Sequence, residues 1–319
     1  MKAALVKAPG TLPVYTDFTE PEAVEGAVRI KVAAAALSHV TKSRASGKHY
    51  SSSGTFPFVA GVDGTGTLDD GTRVYFVFPE APFGAMAEYC VVDQACSIAL
   101  PATLDEATAA AIAIPGMSSW AAFVERARLV KGETVLINGA TGASGRLAVQ
   151  IAKHLGAAKV IATGRHAQSL QSLQAIGADV TISLAQDEEA LQREFRAQFK
   201  EGVDVVLDYL WGSSAEQLLA SAAQAAPEAV PIRFVQIGAI SAPTITLPSA
   251  ALRSTAMELM GSGIGSIPMP RILDAIKQLL NAAVPGGFQI ATNPVPLSEV
   301  ERHWTDDESR ERTVFMAGS

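Results

Sequence analysis

The stretch ETVLINGATGASGRLAVQIAKHLGAAKVIATGR, residues 133–165, decides the fold class of this chain. Its first apolar run, Thr134–Asn138, is short and rich in β-branched residues, which predicts a buried parallel strand. A glycine-rich turn follows, then apolar residues at helical spacing up to Gly156, then a second apolar strand at 159–163. This order predicts a strand–helix–strand unit of a parallel sheet.

The glycine-rich turn has the spacing of a dinucleotide-binding site. Ala140, Gly142 and Gly145 occupy the three glycine positions of G-x-G-x-x-G, with alanine in the first place. A pyrophosphate reaches the N-terminus of a helix only where no side chain obstructs it, and the last glycine allows close helix–strand packing. The alternative is an ordinary glycine-rich turn without a ligand. The predicted cofactor-binding residues of this turn are Ala140, Thr141, Gly142, Ala143, Ser144 and Gly145.

The residues that end the second strand distinguish NADP(H) from NAD(H). An NAD site usually carries Asp or Glu there, which accepts a hydrogen bond from the ribose 2′-hydroxyl. This chain has Gly164, Arg165 and His166 instead. A guanidinium can donate two hydrogen bonds to a 2′-phosphate that a carboxylate would repel, so we predict NADPH as the cofactor, bound by these three residues. The alternative is that Arg165 only solvates the end of a strand.

Strand and helix patterns continue to alternate after this unit. Alternation of this kind predicts a doubly wound parallel sheet, with ligands at the carboxyl ends of its strands. The further predicted strands are 180–183, 203–209, 232–237 and 257–260, and the helices between them include 167–176 and 215–226. The further cofactor-binding residues predicted at the strand ends are Asp208, Tyr209, Ile237, Gly238, Ala239, Gly261 and Ser262.

The two ends of the chain have other patterns. Residues 1–100 contain short strand patterns separated by Pro and Gly, which predict a mostly β module. Within it, the polar or glycine-rich segments 37–50 and 56–66 are the most able to form a site. An alanine-rich helical pattern at 107–130, broken near Pro115, should join the two regions. The patterns predicted after residue 264 are a helix at 271–283, a strand at 287–293, a helix beginning at 297 and a strand at 312–316.

The composition restricts the class of protein. A chain of 319 residues with 48% hydrophobic content is long and apolar enough for two buried cores. We find no uninterrupted apolar run of about 18 residues and no basic cluster interleaved with aromatics, so neither a membrane nor a nucleic acid is a predicted partner. Cys90 and Cys96 fit neither a disulfide framework nor a common metal motif, so a cytoplasmic location is expected.

The order of these segments resembles the medium-chain dehydrogenase/reductase superfamily, and within it the zinc-independent quinone oxidoreductases. The segments that carry the resemblance are MKAALV (1–6), FPFVAGVDGTG (56–66), GAMAEYCVV (84–92) and LINGATGASGRLAVQIAKHLGAAKVIATGR (136–165). The resemblance implies an α/β fold: a mostly β, GroES-like catalytic domain from 1–120 and 264–319, and a Rossmann domain at 121–263. It also implies a homodimer, to which the apolar strand at 257–260 would contribute a paired sheet edge.

Several positions depart from the family patterns. Alcohol dehydrogenases of the superfamily bind catalytic zinc with two cysteines and a histidine, where this chain carries Ser38, Val62 and Pro115. These residues cannot act as thiolate or imidazole ligands, so no metal site is predicted. Quinone reductases typically read N-P-x-D where residues 38–41 read SHVT, and Ser169 replaces a lysine often found after the 2′-phosphate turn. The substrate is therefore less well specified, and Arg165 would recognise the phosphate with less help.

The resemblance implies an NADPH-dependent oxidoreductase that transfers hydride to a quinone or a related electron-poor carbonyl compound. Tyr50 lies close to the position of a cleft-lining tyrosine in the family, and His39 lies nearby in sequence; both are candidate catalytic residues. Tyr50 could instead form a wall of the cleft, and His39 could be a structural histidine at a strand end. Two other functions stay open: an enone or enoyl-thioester reductase on the same scaffold, and an NADPH-binding redox sensor without turnover.

Overall fold

The computed structural model describes residues 1–22, 24–47, 55–306 and 311–318. In these residues the strands are β1 (Lys2–Val6), β2 (Val14–Asp17), β3 (Ala27–Ala36), β4 (Phe58–Val59), β5 (Asp63–Leu68), β6 (Arg73–Val77), β7 (Tyr89–Asp93), β8 (Ser97–Ala99), β9 (Thr134–Asn138), β10 (Lys159–Gly164), β11 (Val180–Ser183), β12 (Val205–Asp208), β13 (Pro231–Gln236), β14 (Ala256–Gly261), β15 (Thr292–Pro296) and β16 (Arg312–Met316). The helices are α1 (His39–Ala45), α2 (Glu106–Ala121), α3 (Ala143–His154), α4 (Ala167–Ser172), α5 (Glu188–Glu201), α6 (Gly212–Ala225), α7 (Ser249–Arg253), α8 (Met269–Ala283) and α9 (Val300–His303).

The chain divides into two compact units. One contains 1–114 and 277–319, and the other contains 115–276. Both divisions fall inside continuous helices, α2 and α8, so a limit read from strand and helix patterns is not set to the residue. The domain limits predicted from the sequence, 1–120 with 264–319 and 121–263, stay a prediction.

The unit at 115–276 contains a six-stranded parallel sheet in the order β11-β10-β9-β12-β13-β14. The strand order reverses direction at β9, as in a doubly wound sheet, so the predicted fold class of this half is confirmed. Its strands are buried apolar runs because helices cover the sheet. The sequence pattern missed one of these helices, α5. That helix is highly charged, but it buries Leu191, Phe195 and Phe199 at helical spacing, and the Asp187 side chain caps it.

The other unit is mostly β, as predicted. Its larger sheet has the order β15-β16-β3-β5-β6-β8, with β7 also paired to β3, and β2-β1-β4 form a smaller sheet. Strand β16 pairs antiparallel with β3, so the C-terminal part of the chain returns to the N-terminal module. Phe76, Trp304 and Phe315 are buried together in the core between them. A catalytic domain built from both chain ends has this arrangement.

Helix α2 differs from its prediction, because it does not break at Pro115. It continues to Ala121 and then widens into one π-helical turn over 122–127. A proline inside a helix costs one backbone hydrogen bond and crowds the preceding turn. The preceding turn here, residues 109–113, is fully buried and mostly alanine, which leaves room for the ring and adds burial that offsets the lost bond.

The strand predicted at 287–293 is also wrong in its position. Residues 284–288 close helix α8: Gly286 N donates to Ala282 O at 2.7 Å, and Gly287 has φ +64°. Glycine readily adopts that backbone conformation at a helix end, so this part of the segment caps the helix. The strand β15 begins only at Thr292.

One helical stretch, Glu106–Ala127, is long and apolar enough to cross a membrane by length and composition. The search for an uninterrupted apolar run did not identify it. Its apolar window is 67% buried inside the protein, which is a property of core helices in soluble proteins as well.

Candidate functional site

The predicted cofactor-binding residues come together at one edge of the parallel sheet. Asp208 at the end of β12 is in register with Asn138 on one side and Gln236 on the other. Gln236 is in register with Gly261, the last residue of β14. The carboxyl ends of β9, β12, β13 and β14 therefore meet where a doubly wound sheet binds its ligand.

Two glycines of the turn between β9 and α3 have packing reasons. Gly139 has φ +89°, which side chains rarely allow. A Cβ on Gly145 would lie 2.4 Å from Gly139 O and 2.5 Å from Ala140 Cα, which is closer than real contacts. Gly145 therefore holds the first turn of α3 against the backbone of the glycine-rich turn, as predicted for the third glycine.

Gly142 has no such reason. It caps α3 with φ −79° and ψ 170°, a conformation open to most residues, and a Cβ there would meet no protein atom within 4 Å. Neither backbone strain nor packing requires glycine at this position. No side chain caps the helix, so the N–H groups that begin α3 face open space beside Gly142.

A buried hydrogen-bond network, which the sequence analysis missed, fixes the turn to two neighbouring strands. Thr163 Oγ1 donates to Asn138 Oδ1 at 2.8 Å and accepts from Gly139 N at 3.0 Å. Asn138 Nδ2 donates to Asp208 Oδ1 at 2.8 Å. The only signal in the sequence was a polar residue at the end of each apolar run, and the partners of these residues are far apart along the chain.

Asp208 and Tyr209 are occupied by protein contacts. The Asp208 carboxylate is fully buried and also accepts from the backbone N–H groups of Leu210 and Trp211, at 3.0 and 3.2 Å. Burial raises the pKa of Asp208 above its usual value. The Tyr209 hydroxyl lies 2.8 Å from Ser119 Oγ. Both residues shape the end of β12, and their direct contact with a cofactor stays a prediction.

The residues after β13 and β14 form the far side of this edge. A Cβ on Gly238 would lie 2.7 Å from Tyr209 O, so glycine is needed for the close approach of the two segments. Ser262 N donates to Gln236 O at 2.9 Å, while Ile237 is half-buried and Ala239 exposed. Gly261 is exposed, and a Cβ on it would meet nothing within 4 Å.

Arg165 lies beside the glycine-rich turn with its charge uncompensated. A Cβ on Gly164 would lie 2.4 Å from Thr141 Cγ2, which places the end of β10 against the turn. Arg165 and His166 follow as exposed residues, and Arg165 has no hydrogen bond or ion pair with any residue that the structure describes. An exposed guanidinium at this place is available to an anion that enters the turn.

The residues predicted for catalysis lie in the other unit. Tyr50 lies outside the described residues, so its role as a proton donor stays a prediction that Tyr50→Phe kinetics can test. His39 is exposed as the first residue of α1. The positions that would carry zinc ligands are occupied structurally: Ser38 caps α1 by accepting from Thr41 N at 3.1 Å, and Val62 is buried.

Asp63 is a buried anchor in that unit. It lies at the start of β5 and accepts from the Tyr75 hydroxyl at 3.0 Å. Burial raises the pKa of Asp63 to about 7, against the opposing effects of the Arg312 charge and the Tyr75 hydrogen bond. The strand that follows was not predicted, because its glycines suggested a loop. A Cβ on Gly66 would lie 2.4 Å from Lys31 O, so β5 needs glycine to pair closely with β3.

We expect the stability of the protein to depend on the ionisation of Asp63. Because the folded-state pKa is raised, the stabilising contribution is present below about pH 4 and is lost as pH rises through about 7. Asp63→Asn keeps the shape and removes the titration. Between pH 5 and pH 8, the Tm of the variant should therefore rise relative to the unmutated protein, by about 2 to 5 °C. Parallel Tm curves from thermal unfolding would contradict this assignment.

Comparison with known proteins agrees with this geometry. Residues 143–281 match the family model described as zinc-binding dehydrogenase; Ser38, Val62 and Pro115 lie outside the matched segment. The chain is 28% identical to a probable NADPH-dependent quinone reductase, tdiC, of Emericella nidulans, over 99% of both chains. Its fold matches the crystal structure of the quinone oxidoreductase from Thermus thermophilus, with a TM-score of 0.82 and 26% identity over 99% of this chain and 100% of that chain.

The chain belongs to the medium-chain dehydrogenase/reductase superfamily. Its fold and similarity place it with the quinone oxidoreductase-like members, as the resemblance implied. A second relative is an NADPH-dependent alkenal/one oxidoreductase from the chloroplast of Arabidopsis thaliana, 31% identical over 55% of this chain and 50% of that protein. Members of this superfamily with different named acceptors therefore share the nucleotide-binding half of the chain.

Proposed function

We propose that this protein is an NADPH-dependent reductase that transfers hydride to a quinone or a related electron-poor carbonyl compound. The observation that carries the proposal is the turn before α3, where Gly142 leaves the helix N-terminus open and Arg165 lies beside it without a counter-charge. Relatives named as NADPH-dependent quinone reductases support the same conclusion.

The residues of this chain would bind and orient the cofactor. The N–H groups at the start of α3 would bind the pyrophosphate, and Arg165 would pair with the 2′-phosphate. The buried network of Thr163, Asn138 and Asp208 would keep the turn in place as the cofactor enters. When bound, the nicotinamide supplies the hydride. Tyr50, His39 or water would then protonate the reduced acceptor.

A panel of acceptors tests the proposal. NADPH oxidation is measured by the loss of its near-ultraviolet absorbance with naphthoquinones, benzoquinones, enones, 2-alkenals, an enoyl thioester and simple aldehydes. Quinones should give the highest kcat/KM. Tight NADPH binding without oxidation by any acceptor would favour the redox-sensor alternative.

The alternative of an enone or enoyl-thioester reductase rests on the alkenal/one oxidoreductase among the relatives. An enolate gains more from a positioned acid than a hydroquinone anion does, so the two functions differ in their need for a proton donor. Activity with 2-alkenals that exceeds activity with every quinone would favour this alternative.

We propose that the reaction needs no metal ion. The positions that bind zinc in superfamily alcohol dehydrogenases carry Ser38, Val62 and Pro115, none of which is a good zinc ligand. Treatment with a strong chelator, followed by its removal, should leave kcat unchanged. Metal analysis of the same samples provides the control: stoichiometric zinc that is lost together with activity would show that other residues bind a catalytic metal.

We propose that the protein is a homodimer that pairs through β14. This strand is the last in the described sheet order, and Leu259 on it is 37% exposed. An apolar strand at a sheet edge is prone to pair with another strand, and two copies related by a two-fold axis would cover both edges. Light scattering should give the mass of a dimer at micromolar concentration. Leu259→Lys should shift the protein toward monomer, whereas Leu252→Lys on α7, also exposed, should not; a monomer before mutation would contradict the proposal.

A further inference from the structure

A pocket lies entirely within the unit that is built from the two chain ends. Its wall is apolar and aromatic and includes Phe56, Phe58 and Phe83. The ring centroids of Phe56 and Phe58 lie 5.2 Å apart, with the planes tilted by 55°. A wall of this kind suits a planar, unsaturated molecule, which can stack on one ring and contact the edge of another.

One cation lines the same pocket. Arg44, on helix α1, is half-buried, and its guanidinium makes no hydrogen bond or ion pair within the described part of the chain. Burial lowers the pKa of Arg44 below its usual value, and no carboxylate counteracts this effect. A half-buried guanidinium without an anionic partner carries a desolvation cost that a bound anion would offset.

The surroundings of Arg44 on its own helix explain why the charge is uncompensated. Position 41 lies three residues earlier, where an acidic side chain could pair with Arg44 across one helical turn. That position carries Thr41, a buried residue that lines the pocket and whose hydroxyl lies 2.9 Å from Ser38 Oγ. The polar group of Thr41 therefore serves the helix cap and leaves the Arg44 charge available.

We propose that this pocket binds a planar aromatic anion, in which a ring packs on the phenylalanines and a carboxylate, sulfonate or ionised ring hydroxyl pairs with Arg44. The inference rests on the proposed function in one respect: it makes anionic quinones the preferred acceptors. The guanidinium then contributes charge-assisted hydrogen bonds that a neutral ligand of the same shape cannot receive. Such bonds are worth about 10 to 100-fold in affinity.

The test uses two ligands that cannot accept hydride, so that binding is measured without turnover. Naphthalene-2-sulfonate and naphthalene-2-sulfonamide have similar shapes and differ in charge near neutral pH. In calorimetric titrations, the sulfonate should bind the unmutated protein about 10 to 100-fold more tightly than the sulfonamide. Arg44→Gln should remove most of this difference, and Arg44→Lys should retain part of it.

A control variant separates the local contact from net charge. Lys31 is exposed on β3 of the same unit and does not line the pocket, so Lys31→Gln should leave the ratio of the two affinities unchanged. Equal affinities in the unmutated protein, or no binding of either ligand at millimolar concentration, would overturn the inference even if Arg44→Gln fails to fold.

The outcome is separable from that of the proposed function. A sulfonate preference that depends on Arg44, together with no acceptor-dependent NADPH oxidation, would leave the pocket assignment standing and refute the reductase. Reduction of quinones without any preference for the sulfonate would do the reverse. If both hold, 1,4-naphthoquinone-2-sulfonate should have a lower KM than 1,4-naphthoquinone, and Arg44→Gln should raise only the former.

Discussion

Gly142→Asp should weaken NADPH binding by about 100-fold or more and leave the protein folded, because it adds a carboxylate where the pyrophosphate binds. Two charges about 4 Å apart near a protein surface interact by about 4 kcal/mol, which is ample for this effect. Folding should tolerate the change: the backbone at Gly142 has φ −79°, and a Cβ there meets no atom within 4 Å. Aspartate is also a favourable residue at a helix N-cap.

The measurement is a fluorescence titration of NADPH together with a thermal melt. Gly145→Ala is the matched comparison, because its Cβ would lie 2.4 Å from Gly139 O. That variant should lose stability and binding together, whereas Gly142→Asp should lose binding alone. Unchanged NADPH affinity in Gly142→Asp would show that the turn does not bind the pyrophosphate.

Arg165→Ala should weaken NADPH binding by about 10 to 100-fold, since a charge-assisted contact is worth about 1.5 to 3 kcal/mol. Binding of NADH should change little, because NADH has no 2′-phosphate. The effect should be large for a single exposed residue, because Ser169 stands where a second cation is often found.

Arg193→Ala provides the control for net charge. Arg193 is exposed on α5 and has no hydrogen bond or ion pair among the described residues, so its loss should affect neither cofactor. The decisive quantity is the ratio of the NADPH and NADH dissociation constants in each variant. A ratio that is the same in Arg165→Ala and in the unmutated protein would remove Arg165 from cofactor recognition.

The nucleotide-binding half of the fold could be predicted from the sequence because its signals are local. Apolar runs bounded by glycine located β9 and β11 with the bounds that the structure has. The spacing of Ala140, Gly142 and Gly145 predicted the turn, because close backbone approach leaves few residue types available.

The parts that failed depend on contacts between distant segments. Strand β5 was taken for a loop because its glycines looked like turn residues, whereas Gly66 is required by the backbone of Lys31 on β3. The pairing of Thr163 with Asn138 was missed because it joins two strands. Arg44 was not singled out, since its importance arises from a pocket wall contributed by Phe58 and Phe83 as well as its own helix.

The central claim is that the turn before α3 and Arg165 make this chain an NADPH-dependent reductase. The most direct test is the initial rate of cofactor oxidation by 1,4-naphthoquinone, with NADPH and NADH compared as kcat/KM in the unmutated protein. The account predicts quinone-dependent oxidation with a preference for NADPH of about tenfold or more, from one charge-assisted contact. Equal kcat/KM for the two cofactors, or no quinone-dependent oxidation of either, would contradict it.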